Sequence, residues 1–361
     1  MRLGIDTFSV RWQGWSAFQT LDYAAGLGLD VVQFSTREDL ASHDPGYLRE
    51  LRAHADGLRL QIELGMGSID RYAASFRPQL GSGAEQLADM CRAAAPLGSP
   101  IVRCFLGMQS DRLRQVPFSE HVAECVRTIQ AVGSLARDLG IRIAVENHGF
   151  GDFLAPELKA MVEEAGPDIA AVTLDTGNPA YCAEDPLYSA EVLAPYIATT
   201  HFRDTAIWEY ESGAEAQWTV LGQGTVDLPA IVRLLQESCP GVAVDLETIT
   251  GGPPRAIPYL DPESEFWRLY PDMPAQALVR YMARARRGTR DGAGPLKQLT
   301  GQPVSSPPQR PPRPGQPPGA PGAPGPSAEQ DERLREQQRR HFEASVAYAR
   351  DTLGLGERPR P

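Results

Sequence analysis

The chain has 361 residues, 42% hydrophobic and 22% charged, with 32 Pro, 34 Gly and a net charge of −11. Eleven of the prolines fall within Gln302–Ser327; the rest has the composition of an ordinary globular chain, which excludes a wholly disordered protein, a collagen and a coiled coil. Residues 290–361 carry 11 basic and 8 acidic groups, so residues 1–289 hold −14, an acidic body that repels phosphate backbones and argues against nucleic acid as a partner.

Short apolar runs alternate with helix-period segments from the first residue. Arg2–Asp6 reads as a strand and Ser16–Leu27 as a helix. Val31–Ser35 and Pro45–Asp56 repeat the pair, as do Leu58–Leu64 and Ala84–Ala95. Ile101–Phe105 is the fourth strand. In Glu120–Leu139, Val122, Val126, Ile129, Val132, Ala136 and Leu139 recur at helical spacing, with Gly140 placed as a C-terminal cap. Ile141–Glu146 and a helix at Pro156–Ala165 follow. Ile169–Asp175 and Ile197–Phe202 are the sixth and seventh strands, Leu228–Glu237 is helical, and Val242–Glu247 is the eighth strand. Eight such repeats in about 250 residues predict an α/β fold, the (β/α)8 TIM barrel.

After the eighth strand comes GGPPRAIPYLDPESEFWRLYPDMP, read as a loop, and then a short helix at Ala275–Arg287. The Pro/Gly-rich segment 290–327 is read as a disordered insertion. Beyond it, Ser327-Ala-Glu-Gln has the form of a capping box, and Phe342, Val346, Ala349 and Leu353 form an apolar stripe. The expected organisation is a barrel body at 1–289, the insertion at 290–327, and a helix at 328–356 that completes the barrel.

Cys91, Cys104, Cys125, Cys182 and Cys239 are widely spaced with no CxxC, the pattern of buried thiols rather than disulfides or a zinc knuckle. MRLGIDTFSV lacks the apolar core of a signal peptide, and no apolar run nears the roughly 20 residues of a membrane span. The expectation is a cytoplasmic protein with no membrane partner. Assembly into a homo-oligomer stays open.

In a barrel, reactive groups come from the C-terminal ends of the strands. Here four successive strands end in Glu146, Asp175, His201 and Glu247. Alternation puts Ala144, Glu146 and His148 on one face of the fifth strand, and Ala243, Asp245 and Glu247 on one face of the eighth. The opposite faces are apolar and suit the surrounding helices. Three carboxylates and an imidazole meeting at one mouth repel one another unless a cation joins them. Three oxygens and a nitrogen suit one divalent metal ion: Mn²⁺, Mg²⁺, Co²⁺ or Zn²⁺. By the same alternation Glu63, Arg103 and Arg203 point inward as substrate-binding candidates, together with Asn178. Phe8, Trp12, Trp15 and Trp218 are loop aromatics at the same end, and Asp152 is a further acid within reach.

The segments ENHG, LDTGNP, HFRD, LGQGTVDLPAI and DLE resemble the xylose-isomerase-like TIM-barrel sugar phosphate isomerase/epimerase family. The likeness runs from residue 1 to about 250 and resumes at SVAYARDTLGL. The resemblance assigns Glu146, Asp175, His201 and Glu247 to the family's metal ligands. It implies a small-molecule carbohydrate substrate and a metal-stabilised enediolate, hence an isomerase or epimerase of carbohydrate metabolism. The same superfamily holds a dehydratase of inososes and the nuclease endonuclease IV, and a non-catalytic sugar-binding barrel is a third class. Many ketose epimerases carry His where this chain has Asn178, which leans toward the alternative of a lyase or dehydratase acting on a keto-sugar or keto-inositol. Only six His are present, too few for the nuclease's three-metal set. Glu146, Glu247 and His148 are the catalytic candidates. His148 lies on the same strand face as Glu146, with an imidazole suited to proton transfer near neutrality.

Overall fold

A computed structural model of the chain describes residues 1–250, 252–289 and 328–356. The eight parallel strands expected from the sequence are β1 (Leu3–Asp6), β2 (Val31–Phe34), β3 (Gln61–Ser68), β4 (Ile101–Phe105), β5 (Arg142–Glu146), β6 (Ala170–Asp175), β7 (Ile197–His201) and β10 (Val244–Leu246). They hydrogen-bond in chain order, and β10 returns to pair with β1 through Leu3 and Val244. Between β7 and β10 a parallel bridge links Phe202 to Leu246. There Phe202 N–H donates to the Asp245 carbonyl (2.7 Å) and Glu247 N–H to the Phe202 carbonyl (3.2 Å). The ring is therefore closed, and the fold is a (β/α)8 barrel.

Between the strands run α1 (Ala17–Gly26), α2 (Pro45–Gly57), α3 (Gly83–Leu97), α4 (Phe118–Leu139), α5 (Ala155–Ala165), α6 (Pro186–Leu193) and α7 (Leu228–Ser238). The Val126, Ile129, Val132 and Ala136 stripe of α4 is buried, and Gly140 ends the helix in the left-handed region at φ 67°. The capping box of α1 is Ser16 with Gln19: the Ser16 hydroxyl accepts from Gln19 N–H, and the Gln19 side-chain carbonyl accepts from Ser16 N–H.

Four elements lie outside the sequence reading. β8 (Asp204–Tyr210) and β9 (Gly213–Thr219) form an antiparallel hairpin directly after β7. The stretch read as a loop after the eighth strand instead contains β11 (Arg255–Ile257), which adds to β9, and the one-turn helix α8 (Glu265–Leu269). The Pro spacing there hid a three-residue edge strand, the kind of position Pro neighbours tolerate. With α9 (Ala275–Ala285) these pieces bury a separate cluster including Tyr181, Ile207, Ile257, Phe266, Tyr270 and Tyr281. The barrel thus carries a second small core made from the segments after β6, β7 and β10.

Helix α10 (Ala328–Asp351) buries Phe342, Val346 and Ala349, with Leu353 just beyond its end. The Arg350 guanidinium donates to the Leu27 and Gly28 carbonyls, and Gly356 N–H donates to the Met1 carbonyl. Trp12 N–H donates to the Gln338 side chain and the Arg335 guanidinium to the Trp12 carbonyl, so the helix runs beside β1 along the barrel's height. Segment 290–327, including Ser327 of the expected capping box, lies outside the described residues. All five cysteines are free and buried. Among the described residues no helix is long and apolar enough to cross a membrane.

Candidate metal centre and active site

Glu146, Asp175, His201 and Glu247 stand at or just past the ends of β5, β6, β7 and β10 and offer ligand atoms that all lie within 4.8 Å of one another. All four are buried. His201 Nδ1 is 3.1 Å from Glu146 Oε2 and 3.3 Å from Glu247 Oε2. Its other nitrogen, Nε2, is 2.5 Å from Gln33 Oε1 and 3.3 Å from Asp6 Oδ2. An amide oxygen only accepts, so Nε2 carries the proton. Nδ1 then presents a lone pair to the carboxylates whenever the ring is neutral, and it has no hydrogen-bond partner of its own. This orphaned nitrogen, with one oxygen from each of three acids, fits a divalent cation of the Mn, Mg, Co or Zn kind.

The electrostatics are uneven. Burial opposes ionisation of Glu146, but Arg103, His201 and His148 together hold its carboxyl well below the ordinary range. Burial raises Asp175 to about 6, against the pull of Arg203 and with the help of the Glu146 charge. Burial disfavours the charged His201 ring, yet the Glu146 and Asp6 carboxylates outweigh it and lift the imidazole to about 9. A cation at Nδ1 therefore competes with a proton.

Two arginines share these acids. Arg103 Nε donates to Glu146 at 2.5 Å, while its Nη1 donates to the Met66 carbonyl at 3.1 Å. Arg203 Nη2 pairs with Asp175 at 2.5 Å and also with Glu247. Asn178 N–H caps Asp175 Oδ1 at 2.7 Å, its side-chain amide donates to the Asn147 carbonyl at 2.9 Å, and its oxygen accepts from Phe150 N–H at 3.2 Å. Asn178 thus ties the β5 and β6 loops together beside the acids.

Glu63 departs from the sequence reading. It is the third residue of β3, which extends to Ser68, and not its end. Its carboxyl accepts from Thr199 (2.5 Å) and Gln33 (3.0 Å) in the barrel interior, where Asp245 shares the same two donors. The parity was right and the height was wrong, because GMGS continues the strand despite its two glycines. Gln33 and Asp6 were missed. Their signal was a polar residue on a short, otherwise apolar strand, a position that demands a buried partner.

His148 follows β5 and is half-buried, its ring stacked on Phe105 at 3.8 Å and 14°. Nδ1 lies 2.8 Å from the Gly107 carbonyl and so donates, which leaves Nε2 with the lone pair. Burial pushes this imidazole down to about 4, so it is neutral near pH 7. Asp152 does not reach the acids. It accepts from His148 N–H (2.6 Å) and Gly107 N–H (3.1 Å) and holds the loop that carries the imidazole. Of the loop aromatics, Trp218 on β9 lies under Arg203, with Cζ 4.6 Å from the ring centroid. Trp15 packs on Tyr23, and Phe8 and Trp12 lie under Arg11.

The sequence pattern of the xylose isomerase-like TIM barrel matches residues 21–268. The chain belongs to that family. No curated protein matches it in sequence. Among solved structures, D-psicose 3-epimerase from Clostridium cellulolyticum H10 superposes with a TM-score of 0.56 at 17% identity, covering 79% of this chain and 96% of that one. The probable 3-DHS dehydratase AsbF from Bacillus anthracis gives 0.53 at 17% identity, over 68% and 92%. The IOLI protein, solved with a bound zinc atom, gives 0.52 at 16% identity, over 79% and 95%. At these identities the likeness is one of fold. Within this xylose isomerase-like barrel, the buried acid and imidazole group stands at the face where TIM-barrel enzymes carry their chemistry.

Proposed function

We propose that this xylose isomerase-like barrel is a divalent-metal-dependent isomerase or epimerase of a sugar or sugar-like keto/hydroxy substrate. The observation that carries the reading is the convergence of Glu146, Asp175, His201 and Glu247 within 4.8 Å. A divalent ion held there supplies Lewis acidity toward neighbouring carbonyl and hydroxyl oxygens, which acidifies the C–H between them. The residues do the rest. Gln33 and Asp6 orient His201 so that Nδ1 faces the acids. Arg103 keeps Glu146 ionised, ready to accept a proton. Glu247 stands on the Arg203 side of His201 and serves as the second proton carrier. Return of the proton to the same carbon from the other side is epimerisation, and return to the neighbouring carbon is isomerisation.

His148 supports a second reading, a lyase or dehydratase. With Nδ1 donating to Gly107, Nε2 keeps the lone pair, which makes His148 a neutral base that is not one of the four metal-ligand candidates. The fold relatives named for 3-epimerisation and for 3-DHS dehydration span both chemistries. Turnover of keto-sugars and inososes in D₂O with Mn²⁺ or Co²⁺ separates them. Deuterium in a recovered isomer is expected for the first; an unsaturated product with loss of water overturns it in favour of the second. Protein that binds no divalent ion defeats both. His148→Ala is expected to keep its metal and lose roughly 10²–10⁴ in kcat, the usual share of a general base.

A further inference from the structure

Beside the carboxylates lies a group of N–H donors with nothing to donate to. Arg203 is 3% exposed, and only its Nη2 is used, on Asp175 and Glu247. Its Nε and Nη1 are buried without a hydrogen-bond partner. So is the indole Nε1 of Trp218, the residue over which the guanidinium lies. Unpaired buried N–H groups cost roughly 1–3 kcal/mol each, more when charged, so three together are a feature that needs a partner.

The surroundings keep these donors in place. Trp218 stacks on Phe150 at 4.8 Å and 18°, and Arg255 covers the far face of the pair, 3.6 Å from the Phe150 centroid. Tyr181 meets both rings edge-on, and its hydroxyl accepts from the backbone N–H of Trp218 at 3.0 Å. Gly177, two residues after Asp175, completes the cradle. A Cβ there would come within 2.5 Å of Arg203 Cγ and Cδ and 3.1 Å of Trp218 Nε1. Any side chain at 177 would force the guanidinium stem and the indole edge apart.

We infer that Arg203 and Trp218 form a subsite for a carboxylate on the substrate, so that the molecule turned over is a sugar acid or related keto acid rather than a neutral sugar. The inference rests on the metal-dependent reading above. All three orphan groups are donors, and a hydroxyl would satisfy them only in part, since it brings its own proton. A carboxylate accepts through two oxygens and matches the guanidinium. Charge points the same way. Asp175 and Glu247, once committed to a cation, no longer neutralise Arg203, and a substrate anion replaces them. A monoanion is favoured over a phosphate dianion because the buried acids Glu146 and Asp6 already stand at the same end of the barrel.

The test is calorimetric titration of the Mn²⁺-loaded protein with 2-keto-D-gluconate, with D-fructose, which has CH₂OH in place of the carboxylate, and with D-fructose 1-phosphate. The keto acid is expected to bind at least about tenfold more tightly than D-fructose, the value of one charge-assisted hydrogen bond. Trp218→Phe keeps an aromatic ring in the stack and removes the indole N–H, so it should shrink that ratio several-fold while Mn²⁺ affinity stays unchanged. No advantage for the keto acid, including binding of none of the three, overturns the inference, as does equal or tighter binding of the phosphate. A ratio untouched by Trp218→Phe overturns the role of the indole. Failure to bind Mn²⁺ at all is a different result, which removes the metal reading instead.

Discussion

The barrel interior holds two groups of acids that differ in what faces them. At the strand ends, Glu146 meets Arg103, and Asp175 and Glu247 meet Arg203. Lower in the interior, Asp245 of β10 and Glu63 of β3 meet the hydroxyl of Thr199 and the amide of Gln33. Burial pushes both lower acids up, and for Asp245 the adjacent Glu63 adds to the effect. Equal burial leaves Glu146 well below its ordinary range because a guanidinium and imidazoles face it. Between Glu146 and the two lower acids, the facing charge and not depth sets the direction of the shift, whereas at Asp175 burial outweighs Arg203. The upper group suits a cation, and the lower one is a hydrogen-bonded floor whose acids burial biases toward the neutral form.

Removing one charge from each group separates them most sharply. Glu146→Gln leaves Arg103 buried without its counter-charge and is expected to cost about 3–5 kcal/mol. Glu63→Gln keeps an acceptor for Thr199 and Gln33 and removes an acid already biased to neutrality, at a cost within about 1 kcal/mol. Urea unfolding of metal-free protein measures both, and equal losses would erase the distinction.

Gln33 joins the two groups and gives the next largest effect. Gln33→Leu deletes the acceptor that holds the His201 Nε2 proton, and Mn²⁺ affinity should fall about 10–100-fold, the range for an outer partner of a metal ligand. Glu63→Gln should leave it unchanged. Titration calorimetry at fixed pH reads the difference, and an unaltered affinity in Gln33→Leu would mean that packing alone orients the imidazole.

The last effect is a slope. A carboxyl whose folded pKa is raised keeps its proton in the native state where the unfolded chain has lost it. The stability it contributes is therefore present at low pH and is lost as pH rises above the unfolded value near 4. Asp245→Asn should remove up to about 1.4 kcal/mol per pH unit of that decline. Denaturation midpoints from pH 4 to 7 test it, and an unchanged slope would place the lower acids with the ionised group.

Much of the upper group was legible because the barrel turns sequence into position. Glu146, Asp175, His201 and Glu247 each follow an apolar run of strand length, and period-two alternation gives the face. What alternation cannot give is height. Glu63 has the right face, but β3 runs on to Ser68 and leaves it below the mouth. Asp152 has a plausible distance along the chain, yet its carboxyl turns back to cap two loop N–H groups. The β8–β9 hairpin and β11 escaped because they pair only with each other, outside the strand–helix repeat of the barrel, so Trp218 appeared as a loop aromatic instead of the platform under Arg203.

By itself the sequence determined the closed ring of strands, the apolar outer faces and the acids that end the strands, since each depends on local periodicity. Tertiary structure alone decided which acids carry charge, which histidine nitrogen faces them, and which N–H groups stand unpaired. Those properties are set by groups brought together from strands far apart in the chain, such as Gln33 beneath His201 and Trp218 beneath Arg203, and local pattern carries no record of that meeting.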